Sequence, residues 1–369
     1  MTDFLNDTEQ EICHALTRWL RDHVDLAQQA RIDQETHSAT ARALWPQMLR
    51  DLELLHLEGG LRLHLRILWA LGSWLSAEPY LSAGLVAHTA LAAARPEPFA
   101  PTLAAWRAGD LRLAWAHAET GHRLLHQPLC TQLHKSPQGW LLRGRKSRVS
   151  GATLATHYLV SAHSADTGMC WLWLDAQAPG MSRRDTPGLD GQLLSELAFD
   201  DVAIPTGAVL CQGAAAEALH DRLQAHATLG VCAEAIGLLQ RMMDDTLMHL
   251  RQRQQFGQPL AGFQVLQHRL ADMHLALAQA QALTWAVADT FEHPDLTADA
   301  RTLGVSSCKV AVGQALRSIG QGAVQLHGAM GVTEELFLAR CFRRATHIQM
   351  LLGDRDQHLR RMDALLFAA

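Results

Sequence analysis

The sequence lacks the long apolar segments of a membrane protein. A membrane-spanning helix takes about 20 consecutive apolar residues, whereas the apolar stretch at residues 229–239 is too short and contains Glu234. The amino terminus also lacks the basic stretch and apolar core of a secretory signal. We therefore predict a cytoplasmic protein without a membrane span.

Cysteine is sparse, and no metal-binding pattern is present. The seven cysteines are scattered and include no C-x-x-C pair, which argues against a disulfide framework or a zinc site and suits a reducing compartment. None of the twenty-one histidines belongs to a pair at helical ligand spacing beside a carboxylate. We predict no bound metal.

A strong positive charge and the common nucleotide-binding motifs are also missing. The formal net charge of -5 gives no broad basic field for nucleic acid. There is no G-x-x-x-x-G-K-[ST] loop and no H-E-x-x-H segment. Residues 320–325 do not complete G-x-G-x-x-G and follow no predicted strand, which argues against a nicotinamide-type Rossmann site.

The patterns that are present divide the chain into three predicted domains. Apolar residues recur at helical spacing in residues 1–110 and again in residues 214–369. Residues 111–213 instead contain short apolar runs between turn residues, as in antiparallel strands. The predicted fold is mainly α with a central β domain and a C-terminal four-helix bundle.

Individual elements follow from the same patterns. The predicted helices cover residues 40–54, 61–75, 82–94, 229–250, 263–291, 300–326 and 336–366. The predicted strands cover residues 140–142, 156–162, 170–174 and 193–204. Pro96, Pro98 and Pro101 predict a linker before the β domain.

Residues 251–273 form the most distinctive stretch. A helical pattern ends where Arg251, Arg253 and Gly257 appear, and Pro259 prevents that helix from continuing. The stretch therefore predicts two helices joined by a short turn that carries two guanidinium groups. One face of the second helix is predicted to contain Val265, Leu266, Leu270, Met273 and Leu277.

This stretch resembles the acyl-CoA dehydrogenase family, flavoenzymes that oxidise CoA thioesters between the α and β carbons. Residues 253–260 read R-Q-Q-F-G-Q-P-L and are followed by F-Q and L-A-D-M, similar to the family's R-x-x-F-G and F-Q…L-A-D-M segments. Residues 323–335 read A-V-Q-L-H-G-A-M-G-V-T-E-E, similar to its Q-x-H-G-G-x-G-x-T-x-E segment. The resemblance covers about the whole chain and is strongest after residue 234.

Further matches refine the resemblance. In the β domain, Gly144-x-Lys146 and residues 199–205, F-D-D-V-A-I-P, are similar to family landmarks. The tail at residues 352–359, L-G-D-R-D-Q-H-L, resembles the small subunits of paired enzymes such as pimeloyl-CoA dehydrogenase and the steroid-degrading heterotetramers.

The resemblance implies FAD as the cofactor. In the family, some residues reach across a subunit interface to the flavin's pyrophosphate and adenine. Arg253, Gln255 and Phe256 match the pyrophosphate contact, and Gln325 and Gly328 match the contact at the adenine end. An arginine fork suits the oxygens of a pyrophosphate.

The segments that line a subunit's own flavin ring depart from the family. Its T-E-P-G-x-G-S-D segment is matched only by residues 118–123, A-E-T-G-H-R. At its W-I-T segment, Arg148 replaces the large ring, whereas Ser150 keeps the hydroxyl expected to meet the flavin's N5 edge.

The catalytic base is also missing from its family positions. Dehydrogenation needs a carboxylate that removes the α-proton. The resemblance places that base at Leu352 or, in other members, near Ala227, and neither residue can accept a proton. Glu234 lies about 10 Å from Ala227 along one helix face. We interpret Glu234 and Asp354 as structural groups and keep Glu234 as an alternative base.

These features predict the base-lacking subunit of a heteromeric acyl-CoA dehydrogenase, such as an α2β2 tetramer with a homologous subunit. An acyl-CoA is the expected substrate, and electron-transfer flavoprotein is the expected acceptor. Three alternatives stay open: a self-sufficient homotetramer that uses Glu234 or another acid, a flavin oxidase or monooxygenase, and a scaffold subunit that binds no flavin.

Overall fold

A computed structural model describes residues 7–25, 44–56, 59–76, 79–94, 96–121, 127–137, 139–333 and 335–367. The chain divides into two compact units. The first unit comprises Met1–His37, Gly59–Ala77 and Thr228–Ala369, and the second comprises Ser38–Glu58 and Glu78–Ala227. Among the helices of the described residues, none combines the length and the apolar character needed to cross a bilayer.

The prediction of a mainly helical fold with a central sheet is confirmed. The helices are α1 (Asp7–His23), α2 (Leu61–Gly72), α3 (Ala87–Ala93), α4 (Pro96–Arg107), α5 (Ala214–Gln252), α6 (Gln264–Thr290), α7 (Ala298–His327), α8 (Phe337–Met350) and α9 (Arg355–Leu366). Residues 44–52 are also helical, and a π-helical segment, Leu81–Val86, precedes α3. The division into domains at residues 110 and 213 stays a prediction.

The second unit contains one eight-stranded sheet. Its strands are β1 (Leu113–Ala116), β2 (Gln132–Ser136), β3 (Gly139–Ser150), β4 (His157–Ser164), β5 (Gly168–Asp175), β6 (Met181–Pro187), β7 (Leu193–Ile204) and β8 (Val209–Gln212). The order is β6-β7-β3-β2-β4-β5-β8, with β1 beside β4. The pairings are antiparallel except those of β4 with β1 and β2.

Alternating apolar residues build the core of this sheet. Side chains of successive strand residues point to opposite faces, and the inward positions of β3, β4, β5 and β7 are apolar. The buried set includes Leu142, Val149, Val160, Leu172, Leu197, Phe199 and Val202. Gly144 has a φ of +146°, and a Cβ there would lie 2.7 Å from Thr131 Cα, so this landmark position requires glycine.

The first unit contains the long C-terminal helices. Helix α7 packs against α6, α8 and α9 through residues buried at three- and four-residue intervals. These residues are Val305, Cys308, Val312, Ala315, Ile319, Ala323 and Leu326. Helices α2 and α5 approach so closely that a Cβ at Gly237 would overlap Trp69 O.

Two local predictions are wrong. The proline-rich stretch forms α4. Pro96 and Pro98 are among its first four residues, whose N–H groups have no partner within a helix, whereas Pro101 lies inside the helix and removes one helical hydrogen bond. Residues 336–366 form two helices, α8 and α9. Val265 is 62% exposed, because only part of the predicted face of α6 is covered within this chain.

Candidate functional site

The corner between α5 and α6 is a small hairpin. β9 (Gln254–Gln255) pairs antiparallel with β10 (Gln258–Pro259). Between them, Phe256 has a φ of +54° and Gly257 a φ of +78°, as in a type I′ turn. Left-handed geometry costs a non-glycine residue about 1–2 kcal/mol, and the Phe256 side chain is 88% exposed. The hairpin thus holds an apolar ring outward in a strained conformation.

The polar groups of this corner are directed to solvent. Arg251, Arg253 and Gln255 are all exposed. Within the described residues, Arg253 takes part in no ion pair. The Arg253 backbone is fixed on both sides, since its N–H donates to His249 O at 2.8 Å and its O accepts from Leu260 N–H at 2.9 Å. A guanidinium on a fixed backbone without an acidic partner is suited to an anion.

The end of α7 lies beside the end of α5. The imidazole rings of His249 and His327 stack with their centroids 4.3 Å apart and their planes at 26°. His327 is the last residue of α7, and Gln325, two residues earlier, is exposed. The structure therefore brings the two predicted flavin-contact segments together, through a pair of histidines that the sequence analysis did not single out.

The predicted base position lies in the break between α8 and α9. Leu352 has a φ of +54°, and Asp354 caps α9 by accepting from Gln357 N–H at 2.8 Å. Leu352 O accepts from His358 Nε2 at 2.9 Å, so the second nitrogen, Nδ1, accepts from the Ser306 hydroxyl at 3.2 Å. Burial lowers the pKa of His358 to about 4. The neutral His358 side chain thus fixes the loop between α8 and α9 through hydrogen bonds.

The alternative base, Glu234, is engaged in a buried ion pair. Arg344 Nε lies 2.6 Å from Glu234 Oε1, and both side chains are nearly inaccessible. Nearby in the same unit, Lys309 Nζ donates to Ile348 O at 2.6 Å, and burial lowers the pKa of Lys309 to about 8. Because the Glu234 carboxylate is buried and paired with Arg344, this contact favours the structural interpretation of Glu234.

A groove of about 670 Å³ borders the loop between α8 and α9. Its walls carry three cationic side chains, Lys309, Arg317 and Arg355, and two carboxylates, Asp354 and Asp356. Opposite charges offset one another over such short distances. The groove is therefore of mixed charge, unlike the cationic corner.

In the second unit, the Glu119 carboxylate, in the segment that should line the flavin ring, bonds to the protein itself. Glu119 accepts from Lys146 Nζ at 2.6 Å, Cys130 N–H at 2.6 Å and Thr131 N–H at 3.0 Å. Burial would raise the pKa of Glu119, but Lys146 and these hydrogen bonds lower it to about 2. Burial lowers the pKa of Lys146 to about 8, although Glu119 acts in the opposite direction. The buried Glu119–Lys146 pair therefore has a structural role.

Aromatic and imidazole rings pack beside this pair. His117 Nδ1 lies 2.9 Å from Ser161 Oγ, and its ring centroid is 4.6 Å from that of His220 and 5.7 Å from that of Trp171. In the part of the chain that the structure describes, no group of three His, Cys, Asp or Glu side chains could hold a metal ion.

The remaining predicted positions are also in the second unit. Ser150 is half-buried at the end of β3, and Arg148 is exposed at a bulge with a φ of +54°. Ala227 is fully buried in α5. Residues 122–126, which include part of the segment at 118–123, lie outside the described residues.

The residues of the corner fit the outer part of an FAD molecule. A pyrophosphate requires cationic and N–H donors, which Arg253 and the exposed amide of Gln255 supply. The exposed amide of Gln325 can donate to and accept from an adenine. Gly328, at the end of α7, leaves the backbone open, since no atom lies within 4 Å of the Cβ position there.

Comparison with protein families now identifies the class. The middle domain of acyl-CoA dehydrogenases matches residues 114–202, which contain most of the sheet. The C-terminal domain of acyl-CoA dehydrogenases matches residues 220–366, which contain the helices after it. The chain belongs to the acyl-CoA dehydrogenase family, and the resemblance of its motifs is confirmed.

Curated relatives share part of the chain. Human mitochondrial short-chain specific acyl-CoA dehydrogenase is 26% identical over 252 residues, which cover 66% of this chain and 60% of the relative. The acyl-CoA dehydrogenase IpdE2 of Mycolicibacterium smegmatis is 36% identical over 141 residues, 38% of this chain and 42% of the relative. The chain thus spans less than two thirds of the length of these relatives.

Solved structures match the chain over its whole length. The ChsE4-ChsE5 complex from Mycobacterium tuberculosis gives a TM-score of 0.86 at 22% identity, with all of both chains covered. A glutaryl-CoA dehydrogenase from Mycobacterium smegmatis in complex with FADH2 gives a TM-score of 0.85 at 18% identity, over 99% of this chain and 96% of the other. At these identities the likeness shows the fold.

Proposed function

We propose that this chain is the base-lacking subunit of a heteromeric, flavin-dependent acyl-CoA dehydrogenase, and that its corner completes the FAD site of a homologous subunit. When bound, the flavin accepts the hydride that leaves the substrate's β carbon. This chain contributes Arg253, Gln255, Phe256, Gln325 and Gly328 to the pyrophosphate and adenine end. The partner subunit contributes the base.

The observation that carries this proposal is the absence of an available carboxylate at the base positions. Leu352 and Ala227 cannot accept a proton, and the Glu234 carboxylate is paired with Arg344. A general base must reach the proton that it removes, whereas the Glu234 side chain is only 3% exposed. The self-sufficient homotetramer that uses Glu234 is correspondingly disfavoured.

The motif residues of the two units differ in their exposure, and this difference supports separate roles for this chain and its partner subunit. Arg253 and Gln325 are exposed, as expected of groups reserved for a molecule outside the chain. Glu119 and Lys146 are engaged with each other. The likeness in fold to a complex of two named subunits, ChsE4 and ChsE5, also agrees with a mixed assembly.

The direct test is expression of the full chain alone and together with a homologous subunit that has the base. The expected result is dehydrogenase turnover and full FAD occupancy only in the mixed complex. Turnover with full FAD occupancy from the chain alone would overturn the proposal. A mixed complex with no flavin at the shared site would favour the scaffold alternative, and rapid reoxidation of the reduced flavin by oxygen would favour the oxidase or monooxygenase alternative.

Two arginines provide a matched pair within that test. Arg253→Ala should weaken FAD retention by the complex, because it removes a charged hydrogen-bond donor worth about 1.5–3 kcal/mol. Arg251→Ala removes the same charge two residues earlier and should change retention far less. Equal effects would indicate a general electrostatic contribution. Leu352→Glu alone should not restore activity, because the flavin-ring segment of this chain also departs from the family.

The substrate and the acceptor complete the proposal. The substrate would be an acyl-CoA, and electron-transfer flavoprotein would be the electron acceptor. A cytoplasmic location stays a prediction.

A further inference from the structure

Two imidazole rings lie between the segments that the proposed function assigns to the partner's flavin. His249 stands one helical turn before Arg253, and His327 stands two residues after Gln325. The rings are stacked at 4.3 Å. Side chains that pack at this distance restrict the relative motion of the backbones that carry them.

Backbone hydrogen bonds connect the segment of each histidine to a ligand-facing residue. His249 O accepts from Arg253 N–H at 2.8 Å, so the backbone of Arg253 follows that of His249. His327 lies inside the turn in which Gly328 N–H donates to Gln325 O. His327 Nδ1 donates to Ala323 O at 2.9 Å, which fixes the orientation of its ring. The stack therefore joins the turn that ends at the exposed Arg253 to the turn that contains the exposed Gln325 and Gly328.

We propose that the stacked His249–His327 pair is a positioning device that holds Arg253 in register with Gln325 and Gly328, so that both segments bind the same FAD molecule. The inference rests on the proposed function and adds to it the residue pair that makes one site from two segments. Both histidines are positioning residues, since neither has to touch the cofactor.

The electrostatics of the pair make its action dependent on pH. The charged or titratable groups that act on His249 are His327 on α7 and Arg253 on its own turn, and both oppose a positive charge. Burial is the largest cause that lowers the pKa of His249 below its ordinary value of about 6.5, and these two neighbours act in the same direction. Because the folded state favours the neutral ring, the stabilisation that the stack contributes is fully present above about pH 6.5 and weakens as the pH falls through the lowered pKa.

The test uses the complex of the full chain with its homologous subunit and measures the rate of FAD release by flavin fluorescence. His249→Ala removes the stack, and we expect release to be about 2- to 10-fold faster, from the 0.5–1.5 kcal/mol typical of a ring pair. His249→Phe keeps a ring that cannot be protonated. His268→Ala, on the exposed face of α6, is the control and should leave release unchanged.

The pH profile separates positioning from simple stability. Between about pH 7.5 and about pH 5.5, on either side of the ordinary histidine pKa, the unchanged complex should lose FAD faster in acid. The His249→Phe complex should retain FAD at the higher pH and show a flatter profile. Unchanged release from the His249→Ala complex, or a full acid response in the His249→Phe complex, would overturn the inference.

Arg253→Ala distinguishes this inference from the function on which it rests. If Arg253→Ala accelerates FAD release and His249→Ala does not, the positioning pair is wrong and the proposed function stands. If Arg253→Ala also leaves release unchanged, the proposed function is wrong. The melting temperature of each complex is measured in parallel, so that release caused by unfolding is recognised; should His249→Ala unfold the complex, the profile of the His249→Phe complex decides.

Discussion

The hairpin corner of the first unit and the strand end at Glu119 in the second unit both carry charged residues from family motifs, but they use them in opposite ways. At the corner, Arg253 is exposed and takes part in no ion pair within the described residues. At the strand end, the side chains of Glu119 and Lys146 are 3% and 0% exposed and lie 2.6 Å apart.

This difference separates motif residues that remain available to a ligand from those that are engaged within the fold. A buried charge must be compensated within the chain, because the interior cannot replace its lost hydration. An exposed charge has water as an alternative partner and remains available to a ligand. By the same criterion, the buried ion pair of Glu234 with Arg344 favours a structural role for Glu234 over that of a base.

The largest expected effect comes from breaking the compensation at the strand end. Lys146→Met leaves the buried Glu119 carboxylate without its cation and should lower the free energy of unfolding by about 3–5 kcal/mol, measured by urea denaturation. Arg145→Met removes an exposed cation from the neighbouring position and should change it by less than about 0.5 kcal/mol. The double variant Lys146→Met/Glu119→Gln should recover part of the loss; failure to recover any would contradict the assigned role.

Acid should weaken the same region in a defined window. The pKa of Glu119 is lowered from 4.5 to about 2 in the folded chain, so the unfolded chain binds more protons between these values. The stability that the pair contributes is therefore present above about pH 4.5 and is lost as the pH falls towards 2. Unfolding free energies of the unchanged chain and of Lys146→Met/Glu119→Gln should converge in this range; a constant difference would argue against the pair.

A smaller effect is expected where α5, the helix that leads to the corner, is fixed by α2. Gly237→Ala would place a Cβ against Trp69 O and should destabilise the chain by about 1–3 kcal/mol. Gly313→Ala is the matched control, because no atom lies within 4 Å of the Cβ position there; it should stabilise α7 by about 0.5–1 kcal/mol. Thermal unfolding of both variants would reveal whether the close approach exists.

The smallest effect concerns strain at the corner itself. Phe256→Ala and Phe256→Asn both remove the exposed ring, but asparagine tolerates the left-handed conformation and forms the favoured Asn-Gly turn. The asparagine variant should therefore be more stable than the alanine variant by about 0.5–1 kcal/mol. Equal stability would mean that the turn is not held in this geometry. Both variants should retain FAD less well in the mixed complex, since Phe256 belongs to the proposed site.

Much of the architecture could be predicted from the sequence, because periodicity is a local property. The predicted strand at residues 193–204 has the bounds of β7, and Gly257 and Pro259 correctly marked the end of α5. Predictions were wrong where one local pattern is compatible with two structures. The prolines near residue 98 suggested a linker, yet they are compatible with the first turns of α4.

By itself, the sequence determined the family, the order of helices and strands, and the absence of a carboxylate at Leu352 and Ala227. Only the tertiary structure decided which charges are available to a ligand. Glu234 and Arg344 are 110 positions apart, and His249 meets His327 across two different helices. No local sequence pattern reveals such pairs, because the fold, and not the spacing along the chain, brings their side chains into contact.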